Sequence, residues 1–203
     1  LYQNRSDFEL VISDDCSGDG TVELISEILS NYNGDIPYRV NFNKHNFGLI
    51  THLDWVLNNL IETEYVAFNP GDDISFPSRV DKLYTYIENY GPDFLLANSI
   101  RIDEKGQKLG LFYKKRATKR IYLRDLFSGA IQPMGATCLY KMERIRQVTL
   151  KDYNINNEDY ILPRISLLGG AGIFVGEPLT YYRVHSKSLT LKRDANRVLL
   201  VSE

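Results

Sequence analysis

Phe8 to Ser13 is a short apolar run that stops at the polar, glycine-bearing stretch Asp14-Asp15-Cys16-Ser17-Gly18-Asp19-Gly20-Thr21. A run of this kind reads as a buried parallel strand and the loop that leaves it. Val22, Ile25, Ile28, Leu29 and Tyr32 then recur at helical spacing until Asn33-Gly34 closes the helix. Tyr38 to Phe42 reads as a second strand, and Asn46-Phe47-Gly48 turns the chain into a helix with Leu53, Val56, Leu57 and Leu60 as its apolar stripe. Tyr65 to Phe68 is a third strand, ended by Asn69-Pro70-Gly71-Asp72-Asp73. Pro77 suits the first turn of a further helix, whose buried face is Val80, Leu83, Tyr84 and Ile87. Strand, helix and strand in alternation predict an α/β fold with a doubly wound, mostly parallel sheet flanked by helices.

The pattern is less regular further on. Phe94 to Ile102 reads as a strand, and Asp103-Glu104-Lys105-Gly106 as the turn of a hairpin, a small antiparallel element beside the main sheet. Leu123 to Phe127 predicts a short helix, Ala136 to Tyr140 a strand after the Pro133-Met134-Gly135 turn, and Tyr160 to Leu168 a helix with Glu158 and Asp159 in its first turn. Gly172 to Val175 and the segment through Tyr181-Tyr182-Arg183-Val184-His185 predict a final strand pair.

A chain of 203 residues with this apolar share can bury one core, so residues 1–203 are expected to form a single domain. With 24 basic against 26 acidic side chains there is no overall basic field, and no nucleic-acid partner is expected. The dense cationic segment, Lys114-Lys115-Arg116 with Lys119-Arg120, fits a solvated loop better than a contact with an anionic acceptor or a membrane surface. Cys16 and Cys138 are too few and too far apart for a disulfide framework, which suits a reducing, cytoplasmic setting. Nothing approaches the run of about 18 apolar residues of a spanning helix. The chain opens on Leu1 rather than methionine, so further sequence is expected before it.

Ligands of such sheets sit at the carboxyl ends of the strands, where Asp14-Asp15 and Asp72-Asp73 fall. Asp72-Asp73 alone fits a turn and helix cap equally well. Gly71 before it, which permits close backbone approach, and the second acidic turn favour a polyphosphate held with Mg²⁺ or Mn²⁺. Glu158-Asp159 is either a charged first turn or a carboxylate poised to take a proton from a substrate hydroxyl. His185 by itself is more readily a hydrogen-bonded structural residue than a ligand, and His45 and His52 carry no assignable role. Phe112-Tyr113 and Tyr122 fit core packing better than a sugar-stacking surface.

In order and approximate spacing, Asp14-Asp15-x-Ser17-x-Asp19-x-Thr21, Asn43-x-x-Asn46-x-Gly48, Gly71-Asp72-Asp73-x-x-x-Pro77, Asn157-Glu158-Asp159-Tyr160 and Tyr182-Arg183-x-His185-x-x-Ser188 resemble the family 2 glycosyltransferases of GT-A fold. The resemblance runs from Phe8 to about Thr190. It implies inverting transfer of a hexosyl or N-acetylhexosaminyl group from a nucleotide-sugar, most often a UDP-sugar, to an acceptor hydroxyl. The setting it implies is bacterial polysaccharide or lipopolysaccharide synthesis for the cell envelope. The acceptor would be a glycan or a lipid-linked sugar, met in the cytoplasm or at the inner face of the membrane with peripheral association. It assigns Asp15 to the nucleotide base with Asp14 and Asn46 beside it, Asp72 to the ribose and phosphates, Asp73 and His185 to the Mn²⁺ or Mg²⁺ ion, and Asp159 to the general base with Glu158 as its neighbour.

Two departures qualify that match. Pro70 stands where many members carry the first carboxylate of the metal motif. The family's opening strand is absent from these residues, with Leu1-Tyr2-Gln3 expected in the helix that follows it, so the sheet is expected to lack a central member. A catalytically silent GT-A domain that binds a nucleotide or glycan is the alternative, and a Mg²⁺-dependent phosphohydrolase a third reading of Asp-rich strand ends.

Overall fold

The computed structural model describes residues 3–114, 117–153, 155 and 157–185. Leu1, Tyr2, Lys115, Arg116, Ser188 and Thr190, which entered the sequence reading, lie outside the described residues. The order is β1 (Leu10–Asp14), α1 (Thr21–Ser30), β2 (Tyr38–Phe42), α2 (Leu49–Asn59), β3 (Tyr65–Ala67), β4 (Ile74–Ser75), α3 (Arg79–Tyr90), β5 (Phe94–Ile102), β6 (Lys108–Leu111), β7 (Lys119–Ile121), α4 (Leu123–Phe127), β8 (Cys138–Lys141), α5 (Met142–Ile145), α6 (Glu158–Leu167) and β9 (Gly172–Arg183). Short 3₁₀ turns cover Gly135–Thr137 and Leu150–Asp152.

The fold is α/β, but the expected mostly parallel sheet is not what forms. β1 and β2 pair in parallel as a two-stranded sheet of their own. A second, seven-stranded sheet runs β3-β8-β5-β9-β4, with β6 on β5 and β7 on β9. Within it only β5 and β9 are parallel, and β3–β8, β5–β8, β4–β9, β5–β6 and β7–β9 are antiparallel. After β5 the chain turns straight back into β6, and such a tight connection imposes an antiparallel neighbour; β8 and β9 are reached later through α4, α5 and α6. The hairpin turn is the one expected, closed by Asp103 N–H to Gln107 O at 3.0 Å.

The expected final strand pair is likewise one strand. β9 runs unbroken for 12 residues, and its register on β5 shifts between Ala97↔Val175 and Asn98↔Pro178. Pro178 has no N–H to give a ladder, so it sits at the bulge. The buried Asn98 amide donates to Gly176 O at 3.2 Å, satisfying a carbonyl that the bulge releases. Gln3 and the residues up to 9 carry no helix, which corrects the expected helical start as far as it is described.

Alternate residues of β5 face two cores. Phe94 and Leu96 join Tyr140, Phe174 and Leu162 on the α6 side, while Leu95 and Ala97 meet Leu83, Ile173 and Leu179 on the α3 side. The period of two along a strand sorts them. By contrast α1 contributes no buried residue, and Tyr38, Val40 and Phe42 of β2 stay exposed.

Candidate active site

Three acidic stations survive folding, each built differently. At the end of β1, Asp14 is buried and its Oδ2 accepts the Ser17 amide at 2.8 Å, so it closes its own turn. Asp15 is turned toward the β2–α2 loop. Its Oδ1 accepts from Asn43 Nδ2 at 2.8 Å, and its two oxygens accept the Phe47 amide at 3.0 and 3.1 Å. Asn46 pins that loop, donating to the Asp15 carbonyl at 2.9 Å and accepting from the Gly48 amide at 3.1 Å. Burial pushes Asp15 up, but the Phe47 amide and the Asn43 donor outweigh it and hold the carboxyl below its ordinary range.

His52, to which the sequence lent no role, belongs to this station. Its Nδ1 is 2.7 Å from Asn43 Nδ2 and 3.6 Å from Asp15 Oδ1. An amide nitrogen only donates, so the network assigns Nδ1 as acceptor, and Asn43 gives one hydrogen to Asp15 and the other to His52. Asn43 Oδ1 in turn accepts from Asn41 at 2.9 Å.

The second station follows β3. Asp73 is 8% exposed and its Oδ1 accepts the Arg183 amide at 2.7 Å. Burial, opposed by that amide and reinforced by Asp72, pushes Asp73 up to about 6. Arg79 is a residue that sequence reasoning missed, since a cation at the start of an amphipathic helix looks like solvent-exposed charge. It is buried and holds the loop from inside, donating to Phe68 O at 2.8 Å, Asn69 Oδ1 at 3.0 Å and Ser75 Oγ at 2.8 Å. Arg183 stitches the same loop to the β5–β6 turn through Asp72 O, Asp103 O and Glu104 O. His185 Nε2 meets Asp72 Oδ2 at 3.0 Å, so the histidine is set against Asp72.

Among the described residues no group of three His, Cys, Asp or Glu gathers closely enough to cage a metal. What the station offers is a buried carboxylate whose burial is incompletely offset, a second carboxylate and an imidazole. That donor set fits a hard divalent cation that takes one or two protein ligands and completes its shell with phosphate oxygens and water.

The third station opens α6. Glu158 lies against Gly135, where a Cβ would come within 2.5 Å of its Oε1, so any larger residue there would displace the carboxylate. Burial and the adjacent Asp159 push Glu158 up to about 7. Burial raises Cys138, Tyr140 and Tyr113, and the field of the pair adds to it at Cys138 and Tyr140, that of Asp159 at Tyr113. The Cys138 thiol, pushed up to about 12 chiefly by burial, is inert. Cys138 also lies within electrostatic reach of Arg79, and Arg79 of Asp73. The second and third stations therefore share one neighbourhood around the start of β8, while the first is carried by the separate β1–β2 sheet.

Tyr113 packs against the core, edge-on to Phe174, as expected. Tyr122 does not: it is half exposed, with the Arg124 guanidinium 4.8 Å over its ring. Among the described residues no helix is long and apolar enough to cross a membrane.

The model of the family Glycosyl transferase family 2 matches residues 1–148. The putative glycosyltransferase EpsE of Bacillus subtilis (strain 168) is 32% identical over 90 residues, which is 44% of this chain and 31% of EpsE. Residues 1–349 of S. aureus TarS in complex with UDP-GlcNAc superpose with a TM-score of 0.70 at 18% identity, covering 92% of this chain and 53% of that one. GalNAc-T7 with UDP, GalNAc and Mn²⁺ superposes with a TM-score of 0.63 at 13% identity, covering 91% of this chain and 39% of that one. At such identities the likeness shows a GT-A-like α/β fold. The chain spans about a third of EpsE and half of the TarS fragment.

Proposed function

The chain belongs to glycosyl transferase family 2, and from that premise we propose that it moves a sugar, with inversion, from a UDP-sugar to an acceptor hydroxyl, with Asp159 as general base. The observation that supports this furthest is the carboxylate pair at the start of α6. Burial and the adjacent Asp159 push Glu158 up to about 7, so Glu158 is the member of the pair that holds a proton more readily and Asp159 the one assigned to accept the acceptor's proton. In the step itself the acceptor oxygen attacks the anomeric carbon as Asp159 takes its proton. The bond from that carbon to the phosphate oxygen breaks, and the nucleoside diphosphate leaves with the electron pair. Attack opposite the leaving group inverts the centre, so an α-linked donor gives a β-linkage.

Asp15, its acceptor atoms oriented by Asn43 and the Phe47 amide, binds an N–H edge of the nucleotide base, with Asp14 and Asn46 shaping the loop. Asp72 faces the ribose and phosphates. Asp73 and His185 would hold Mn²⁺ or Mg²⁺; when bound, such an ion neutralises charge developing on the diphosphate. Envelope glycan synthesis, a glycan or lipid-linked acceptor and a site at the cytoplasmic membrane face are the setting we assign to the reaction. The silent-domain alternative draws on Pro70, which removes a carboxylate from the motif.

Calorimetric titration of UDP with Mn²⁺, then with a chelator, tests the reading. Binding that requires metal and is lost in Asp73→Ala is expected. No binding by the folded protein in either condition would turn the assignment toward another nucleotide or the silent domain, and phosphate release from simple esters toward a hydrolase.

A further inference from the structure

A cavity of about 270 Å³ opens between β6, β7 and the 128–134 loop, walled by Phe112, Tyr113, Phe174 and Ile131 and flanked by Lys114 and Lys119. Its frame is firm. The buried Asn98 side chain clasps the Tyr113 backbone, donating to Tyr113 O at 2.9 Å and accepting from Tyr113 N at 3.0 Å. The Tyr113 hydroxyl accepts from the Gln132 amide at 3.1 Å and donates to the Gln132 carbonyl. Phe112 and Phe174 both stand edge-on to the Tyr113 ring. Among the described residues neither Lys114 nor Lys119 has a salt bridge, as is usual for the exposed lysines here, so both charges are open to a ligand.

Just under the roughly 300 Å³ at which small-molecule pockets begin, the cavity suits one sugar residue and is small for a nucleotide. Aromatic walls pack against the apolar face of a sugar ring, and two uncompensated cations call for a group with more than one negative charge. The 128–134 loop ties the cavity to the chemistry: Gln132 holds the Tyr113 hydroxyl, and Gly135, which follows the loop directly, lies against Glu158. A ligand in the cavity is thus bounded by the loop that leads to the carboxylate pair.

We propose that this cavity is the acceptor subsite and that the acceptor it takes is a sugar bearing a phosphate, the ring against Phe112 and Tyr113 and the phosphate between Lys114 and Lys119. The assignment rests on the transferase reading above. It also gives Lys114 and Lys119 a task that solvated side chains do not have, and it leaves the donor to the Asp15 and Asp72-Asp73 stations.

The test is calorimetric, on the whole protein saturated with UDP and Mn²⁺, with a hexose 6-phosphate, the parent hexose and inorganic phosphate as probes. The hexose phosphate is expected to bind at least about tenfold more tightly than the hexose, with an affinity that falls as salt is added. The double variant Lys114→Gln/Lys119→Gln is expected to lose that tenfold while UDP affinity stays within about twofold. Equal binding of hexose and hexose phosphate, or full retention in the double variant, overturns the proposal. Inorganic phosphate binding as tightly as the hexose phosphate also overturns it, since the pocket would then recognise no sugar. If UDP itself fails to bind, the transferase reading falls instead, and the probes are then read on the protein without UDP.

Discussion

β1 and β5 are both apolar strands, yet they end in different circumstances. β5 has strands on both edges and cores on both faces, and Phe94, Leu95 and Leu96 are fully buried. Among the described residues β1 pairs only with β2, its residues before Asp14 are half-buried, and α1 leaves Leu24 and Ile28 more than half exposed. Each such side chain forgoes much of the roughly 1.5–3 kcal/mol that full burial contributes. Strand apolarity therefore tells how much a segment has to gain from burial, while its neighbours decide how much it realises. The proposed division of labour follows the same line. Base recognition at Asp15 sits on the two-stranded sheet, and the proposed base Asp159 sits on a helix backed by the main core, a rigid support that suits the chemistry.

If that division is right, a substitution on the core side should remove turnover and leave binding in place. Asp159→Asn keeps shape and hydrogen bonding but cannot take a proton, and is expected to lower transfer by at least about 10³-fold, with UDP affinity nearly unchanged. Rates from a coupled UDP-release assay beside a UDP titration check it. Parallel loss of both would merge the two regions and sink the base assignment.

A smaller effect separates the regions by pH. Glu158 keeps its proton in the fold up to about 7, against an ordinary 4.5. Below 4.5 both folded and unfolded chains hold the proton and its contribution to stability is complete. Between 4.5 and 7 the unfolded chain ionises freely while the fold does not, so stability falls as pH rises through that window. Glu158→Gln, which has no proton to lose, should flatten this slope and gain on the order of 1–3 kcal/mol over the parent at pH 8. Denaturant midpoints at pH 4.5, 6 and 8 measure it. An unchanged slope would mean that Glu158 is not held protonated against Gly135.

Most elements were legible because their signals are local. Phe94–Ile102, Leu123–Phe127 and Tyr38–Phe42 fall where period and punctuation put them. Strand direction was not, because it depends on how connections return, and no run of side chains reports that. Gly176-Glu177-Pro178 looked like a break between two strands, and only the Asn98 amide reaching Gly176 O reveals a bulge in one. At the candidate site the Asn43-x-x-Asn46-x-Gly48 spacing did point to the loop that closes on Asp15. Arg79 and the fit of Glu158 against Gly135 are through-space facts that spacing does not encode.

His52 is the other such residue, and it supplies the finest test of the comparison. Asn43 gives one amide hydrogen to Asp15 and one to His52 Nδ1, so the imidazole fixes which way the amide faces and thereby presents a donor, not an oxygen, to the carboxylate. His52→Ala removes one of the contacts on that amide and leaves Asn43 held by Asn41 and Asp15 alone, which loosens the donor it presents to the carboxylate. The net worth of one such hydrogen bond is about 0.5–1.5 kcal/mol, so nucleotide affinity is expected to fall roughly two- to tenfold with kcat unaltered. His52→Asn can place an acceptor near the position of Nδ1 and should restore part of the loss. A merely structural role would lower the melting temperature in both variants without separating KM from kcat. A fall in kcat at unchanged KM would carry His52 across to the catalytic side and erase the distinction between the two sheets.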